Sequence, residues 1–377
     1  MARILVTAES FGYGPIITGL NIVKRLKQRQ DGYYIFLGSG VSLEQAISSG
    51  LFDQYEECDT FSPECLEKYK GLFKEVDFLL SVENIEGAIL GVRLGTKVFY
   101  VDNLFWMWSD IPKELYHVDT YFIAQSLDMS ENLDRIGNNI TNKIIVGPLR
   151  NYYGESKEKE PENRVLINFG GAESFLIDQE IITSYYCKLL ELIFAELEEL
   201  HMEDVIVCGG SKLIQGLDAH FSGKHRAVFK SLANQEYLDT LSKSRYVIMS
   251  PGLGNFFEAL SLKYDVMFVP PINYSQYWQL EAYRELDMGF RMHNWNDSPW
   301  FIPIEKYAEE ETGVLQVLSN VGQFLKEESS QECFAKDIRE YLTGSWEHYG
   351  KARKEHFMSY RKDGIGSIVG EIIKRSV

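Results

Sequence analysis

Short apolar runs of strand length alternate along this chain with segments of helical spacing, and the alternation restarts once, which leaves few architectures open. The first set of runs is 4–8, 34–37, 78–82, 98–101 and 120–124, separated by stretches such as Ile16, Leu20, Val23 and Leu26 that repeat on one helical face. After a polar, charged stretch at 151–163, which carries Gly154, Pro161 and a Ser-Lys-Glu-Lys-Glu block, the pattern resumes at 165–169, 205–208, 227–229, 246–249 and 266–269. Continuous apolar strands joined by crossover helices predict parallel sheets with helices on both faces. The expected fold is therefore α/β, with two doubly wound Rossmann-like domains facing a cleft. The expected boundaries are 1–150 for the first domain, 151–163 for a linker, 164–348 for the second domain, and 349–377 for a tail helix packing back on the first. Ile365, Ile368, Ile372 and Ile373 supply that helix with an apolar face.

A chain of 377 residues, 45% hydrophobic and 25% charged, is long enough for two cores. Its net charge of −17 argues against a broad nucleic-acid surface or a polybasic membrane patch. Five cysteines with no CxxC pair suit free thiols. No stretch approaches the ~20 apolar residues of a membrane helix, and the first residues enter a strand instead of a leader. These features predict a reducing, cytoplasmic setting without stable membrane insertion.

In a doubly wound sheet the ligand lies beyond the carboxyl ends of the strands. The most informative strand end is at 245–249, where Ser250-Pro-Gly-Leu-Gly-Asn255 leads into an apolar face made by Leu253, Phe256, Phe257 and Leu260. Gly252, Gly254 and Asn255 then surround a helix start, where unpaired amides and the helix dipole favour a phosphate. Glu258 lies one turn further along the same side, a displacement that suits a ribose whose hydroxyls it would accept. An ordinary strand-to-helix turn with a solvated glutamate is the alternative. Gly171 and Gly210, in the Gly-Gly pairs that follow the first two strands of the second half, allow close approach of a phosphate or simply connect strand to helix. Lys212 could supply a cation there.

The order of these features, with Ala259, Pro270, Gln276, Tyr277 and Trp278 following Glu258, resembles the nucleotide-binding half of the GT-B glycosyltransferases, especially the enzyme that adds N-acetylglucosamine to the lipid-linked peptidoglycan precursor. Gly147-Pro-Leu-Arg150 resembles the hinge of the same enzymes. The resemblance implies that Glu258 holds the ribose, that Gln276 binds donor-sugar hydroxyls, and that main-chain groups near Leu232 read a uracil. The chain departs from the family around Pro251 and Asn255, where Ser, Thr or His is usual, so phosphate contacts fall to backbone amides.

In the first half the strand ends present Glu9, the loop Phe11-Gly12-Tyr13-Gly14-Pro15, then Glu83, Asn84, Asp102 and Asn103. One of Glu9, Glu83 or Asp102 would be the base that deprotonates an acceptor, with Asp102 and Glu9 favoured. The family's histidine after the first glycines is missing, since Pro15 stands there and no histidine precedes His117. Gly12, Tyr13, Gly14, Glu83, Trp106 and Trp108 are the expected acceptor contacts, the tryptophans by stacking or, alternatively, as a buried plug. The stretch Tyr-Val-Asp-Asn-Leu-Phe-Trp-Met-Trp108, taken with the first loop, is similar to that of cytosylglucuronate synthases of nucleoside-antibiotic pathways, which implies UDP-glucuronate and cytosine, with Arg150 or Lys212 facing the donor carboxylate. No Asp-x-Asp and no zinc-spaced His/Cys cluster occurs, so no metal and no cofactor beyond the UDP-sugar co-substrate is expected. The reading is a metal-independent, inverting glycosyltransferase acting on a small soluble acceptor. An epimerase or hydrolase of the same fold, and a non-catalytic nucleotide-sugar-binding protein, are the alternatives.

Overall fold

The computed structural model describes residues 1–10, 12–150, 162–172, 174, 176–261, 266–286, 290–344 and 362–376. The chain divides into two compact units, Met1–Tyr152 with Ser359–Val377, and Tyr153–Met358. Glu162 and Asn163, expected at the end of the linker, already belong to a strand of the second unit. The rest of that linker and the expected start of the tail, 349–361, lie outside the described residues.

The first unit holds a 7-stranded parallel sheet. Its strands are β1 (Ala2–Ala8), β2 (Gly32–Gly38), β3 (Gln54–Glu57), β4 (Phe78–Val82), β5 (Val98–Asp102), β6 (Thr120–Ala124) and β7 (Lys143–Val146), in the order β3-β2-β1-β4-β5-β6-β7. Alternation along the strands splits the apolar residues between two layers. Ile4, Val6, Phe36, Leu80 and Phe99 pack with Ile16 and Ile22 of the helix Gly14–Lys27. Leu5, Ile35, Leu79, Tyr100 and Tyr121 pack on the opposite face with Phe73, Ala88 and Ile89. The helix Gly364–Ser376 joins the first layer through Ile365, Ile368, Val369 and Ile372, all fully buried. Gly147 follows β7 where the backbone at residue 362 runs so close that a Cβ would meet the Lys362 carbonyl at 2.6 Å.

The second unit holds a 6-stranded parallel sheet, order β10-β9-β8-β11-β12-β13. Its strands are β8 (Glu162–Asn168), β9 (Val205–Cys208), β10 (Val228–Lys230), β11 (Ser244–Met249), β12 (Met267–Phe268) and β13 (Arg291–Met292). The edge strands β3, β7 and β13 are not among the expected apolar runs, because each is only two to four residues long and most of their side chains are half-buried or exposed. In each sheet the chain winds outward to one side and then returns to the centre, so the order reverses between β1 and β4 and between β8 and β11. These two switch points are where such sheets leave room for a ligand.

Candidate active-site residues in the two units

At the switch point of the second unit the backbone is first tied together, since Ser250 N donates to Asn168 O at 2.8 Å. Asn168 Nδ2 donates to Asn255 Oδ1 at 3.1 Å, and Asn255 Nδ2 donates to Ser250 O at 2.7 Å. The Asn255 side chain therefore pins the turn that starts the helix Leu253–Ser261. Neither Gly252 nor Gly254 has an atom within 4 Å of where a Cβ would stand, and neither has the backbone conformation that requires glycine. Packing does not account for them. The space beside the first turn of this helix is open, and it faces amides that an α-helix leaves unpaired.

Glu258 lies one turn further on, and its Oε2 accepts from Tyr237 Oη at 2.7 Å. Although its side chain still meets solvent, burial by the surrounding protein raises its pKa to about 7, with the Tyr237 hydrogen bond opposing that rise. Tyr237 stands on the helix Asn234–Lys243, which begins two residues after half-buried Leu232. The same hydroxyl bonds the Asn168 side chain, so one network runs from Glu258 through Tyr237 and Asn168 to Asn255. Tyr237 and Asn168 were not singled out in the sequence. The signal that points to Asn168 is its position as the last residue of a central strand at the switch point.

Gly171 and Gly210 answer to a different demand. A Cβ on Gly210 would collide with the Gly171 carbonyl, and Gly210 N donates to Gly170 O at 2.8 Å. At Gly210, then, the missing side chain lets the two loops approach each other closely. Lys212 is exposed, on the first turn of the helix Ser211–Phe221. Gln276 sits on the first turn of the helix Tyr274–Glu285, capped by Asn273, and its Oε1 accepts from Ile272 N at 3.1 Å. That bond holds the amide in place at the carboxyl end of β12.

In the first unit, Glu9 directly follows β1 and is held at every polar atom. Its N donates to Val82 O at 3.2 Å and its carbonyl accepts from Ser42 Oγ at 2.9 Å. Ser10 N donates to Oε1 at 3.0 Å, and Asn84 Nδ2 donates to Oε2 at 2.9 Å. Burial raises the pKa of this half-buried carboxyl, against the lowering effect of the Asn84 and Ser10 hydrogen bonds. Glu83 adopts φ 55°, a left-handed conformation that costs a glutamate ~1–2 kcal/mol and turns the chain sharply after β4. Gly12 and Gly14 flank half-buried Tyr13 with open space where their Cβ atoms would stand, and Gly12 needs glycine for its φ of 64°.

Asp102 is placed otherwise than a base requires. It is fully buried, and its two oxygens accept from Leu104 N at 2.7 Å, Tyr121 Oη at 2.6 Å and Trp108 Nε1 at 3.1 Å. Burial raises its pKa to about 6, while the bonds from Tyr121, Leu104 and Trp108 pull the other way. With no open side, it organises the loop after β5. Trp106 and Trp108 pack against the core under the sheet, and both stay partly exposed. Glu9 and Glu83, by contrast, are both partly exposed.

His293, Cys333 and Asp337 also come together in the second unit, the only set among the described residues with three metal-type donors, and their distance in sequence hid the grouping. His293 Nδ1 lies 2.6 Å from Asp337 Oδ2. His293 follows β13 at the sheet edge and takes no part in the Glu258 network.

The two parallel Rossmann-like units define the GT-B fold. The structure of Arabidopsis thaliana UGT89C1 complexed with UDP is similar over 96% of this chain and 100% of that chain, at 11% identity and TM-score 0.54. That of S. aureus MnaA with UDP is similar over 94% and 95%, at 13% identity and TM-score 0.51. Acinetobacter baumannii MurG aligns over 96% and 99%, at 11% identity and TM-score 0.43, a similarity too loose to single out that protein. No protein-family model matches the chain, and no match was found among curated proteins. No described helix is long and apolar enough to cross a membrane.

Proposed function

We propose that the protein is a metal-independent glycosyltransferase that takes a sugar from a UDP-sugar and moves it to a small acceptor. The observation that carries this reading is the switch point of the second unit, where an open helix start and a carboxylate one turn away are locked together by Tyr237, Asn168 and Asn255. The amides at Leu253, Gly254 and Asn255 would take the diphosphate, and Glu258 the ribose hydroxyls. As the bond to the anomeric carbon breaks, charge develops on the departing UDP, and a fixed array of amides stabilises it without reorganising. Two of the fold neighbours above, UGT89C1 and MnaA, were solved with UDP, in line with a uridine donor. Glu9 is the proposed base, taking a proton from the acceptor hydroxyl or amine as that atom attacks the sugar.

A thermal-shift series over UDP, UDP-glucose, UDP-glucuronate, ADP and GDP tests the donor assignment. UDP and at least one UDP-sugar should raise the transition temperature. Stabilisation by purine diphosphates alone would overturn it. Release of UDP from a donor only when an acceptor is supplied separates transfer from hydrolysis.

A further inference from the structure

We propose that Asn84 is the positioning residue of the Glu9 base, a role that rests on the reading of Glu9 given above. Asn84 is fully buried at the start of the helix Ile85–Leu94, where an asparagine ordinarily accepts from its own helix amides. Here its side chain makes no capping bond. Its Nδ2 instead spans to Glu9 Oε2 at 2.9 Å and to the Thr60 carbonyl at 3.2 Å, tying β4 to the end of β1 and to the segment after β3.

The local chain is built around this placement. Glu83, in the left-handed conformation, turns the backbone immediately before Asn84. Gly87 leaves out the one atom that would strike Asn84 Oδ1, so the helix accommodates the side chain in its unusual orientation. Oδ1 itself is buried without a hydrogen-bond partner among the described residues, and so is Thr60 Oγ1. Leaving a buried acceptor unsatisfied is costly, so this arrangement gives up local stability to direct both amide protons away from the helix. The effect on Glu9 is to fix the plane of its carboxylate, with Oε1 bonded to Ser10 N and Oε2 to Asn84. Asp59 and Glu86 are the other charged groups that act on Glu9, both disfavouring its ionised form, and Asn84 opposes them.

The test uses the full-length protein with Asn84→Ser, which keeps a good helix cap but is too short to reach Glu9, and Asn84→Asp, which keeps the shape but removes the donor. Titration of the Glu9 carboxyl by carbon-13 NMR, assigned with Glu9→Gln, should show its midpoint moved upward in both variants, further in Asn84→Asp, where a second carboxylate adds repulsion. With an acceptor that makes wild type release UDP from UDP-glucose, kcat should fall on the order of 10–100-fold with little change in KM, and the acid limb of the pH profile should move upward with the NMR midpoint. Stabilisation by UDP should stay at the wild-type level. A folded Asn84→Ser protein with an unchanged Glu9 midpoint and wild-type kcat would overturn the proposal. If wild type shows no UDP shift, the donor reading fails on its own, and the NMR midpoint still decides the role of Asn84.

Discussion

Tyr237 donates its hydroxyl hydrogen bond to Glu258 Oε2 at 2.7 Å, across two helices that flank the switch point of the second unit. The carboxylate is thereby fixed before any ligand arrives, so binding need not order it. Each hydrogen bond that its ionised form accepts from a ribose hydroxyl would contribute ~1.5–3 kcal/mol.

Glu258→Ala should abolish most of the stabilisation by UDP. A ligand at 100 times its dissociation constant stabilises a protein by ~2.7 kcal/mol, a shift that differential scanning fluorimetry resolves easily. A full UDP shift in the variant would remove Glu258 from the site.

Gly254→Ala separates folding from binding at the helix start. The position has open space and no left-handed backbone, so alanine should leave stability unchanged or raise it by up to ~1 kcal/mol. The added methyl group should nevertheless weaken UDP binding by crowding the amides. Unchanged affinity by calorimetry would show that the phosphate lies elsewhere.

Stability should fall as pH rises toward neutrality. Glu258 holds its proton up to about 7 in the folded state, whereas the unfolded chain releases it near ~4.3. Between those values the folded state binds more protons, so the stability due to the protonated form is fully present below the lower value and lost as pH rises through the upper one. Asp102, raised to about 6, acts with the same sign. Urea midpoints measured across that range should decline in wild type and decline less in Glu258→Gln. Equal slopes would show that Glu258 ionises normally.

Asp102 and Glu9 should respond in opposite ways. Asp102→Ala strands the Tyr121 hydroxyl and the Trp108 indole N–H, so it should cost ~1–3 kcal/mol in stability. Glu9→Gln should keep UDP binding while lowering turnover at least ~100-fold, the scale of a lost general base. Loss of turnover in a folded, stable Asp102→Asn protein with full activity in Glu9→Gln would reverse the assignment.

The legibility of this protein in its sequence follows the physics of each feature. Central strands such as β1, β4 and β11 are buried on both faces, so their apolar runs identify them directly. The edge strand Gln54-Tyr-Glu-Glu57 is nowhere fully buried and reads as polar loop. Glu258 could be placed relative to Gly254 because both lie within one helix, where spacing fixes geometry. Asp102 could not be judged, because the groups that enclose it, Tyr121 above all, come from another strand.

What the chain determined by itself was the α/β alternation, its single restart, and the local geometry of the segment 245–260, all set by periodicity and by glycine's freedom. Only the tertiary structure decided which carboxylates stand bonded and open, which glycines pack against backbone, and which asparagines bridge strands. Burial and hydrogen bonding between residues such as Glu9 and Asn84, separated by 75 positions, depend on the order of strands in a sheet, which local patterning does not encode.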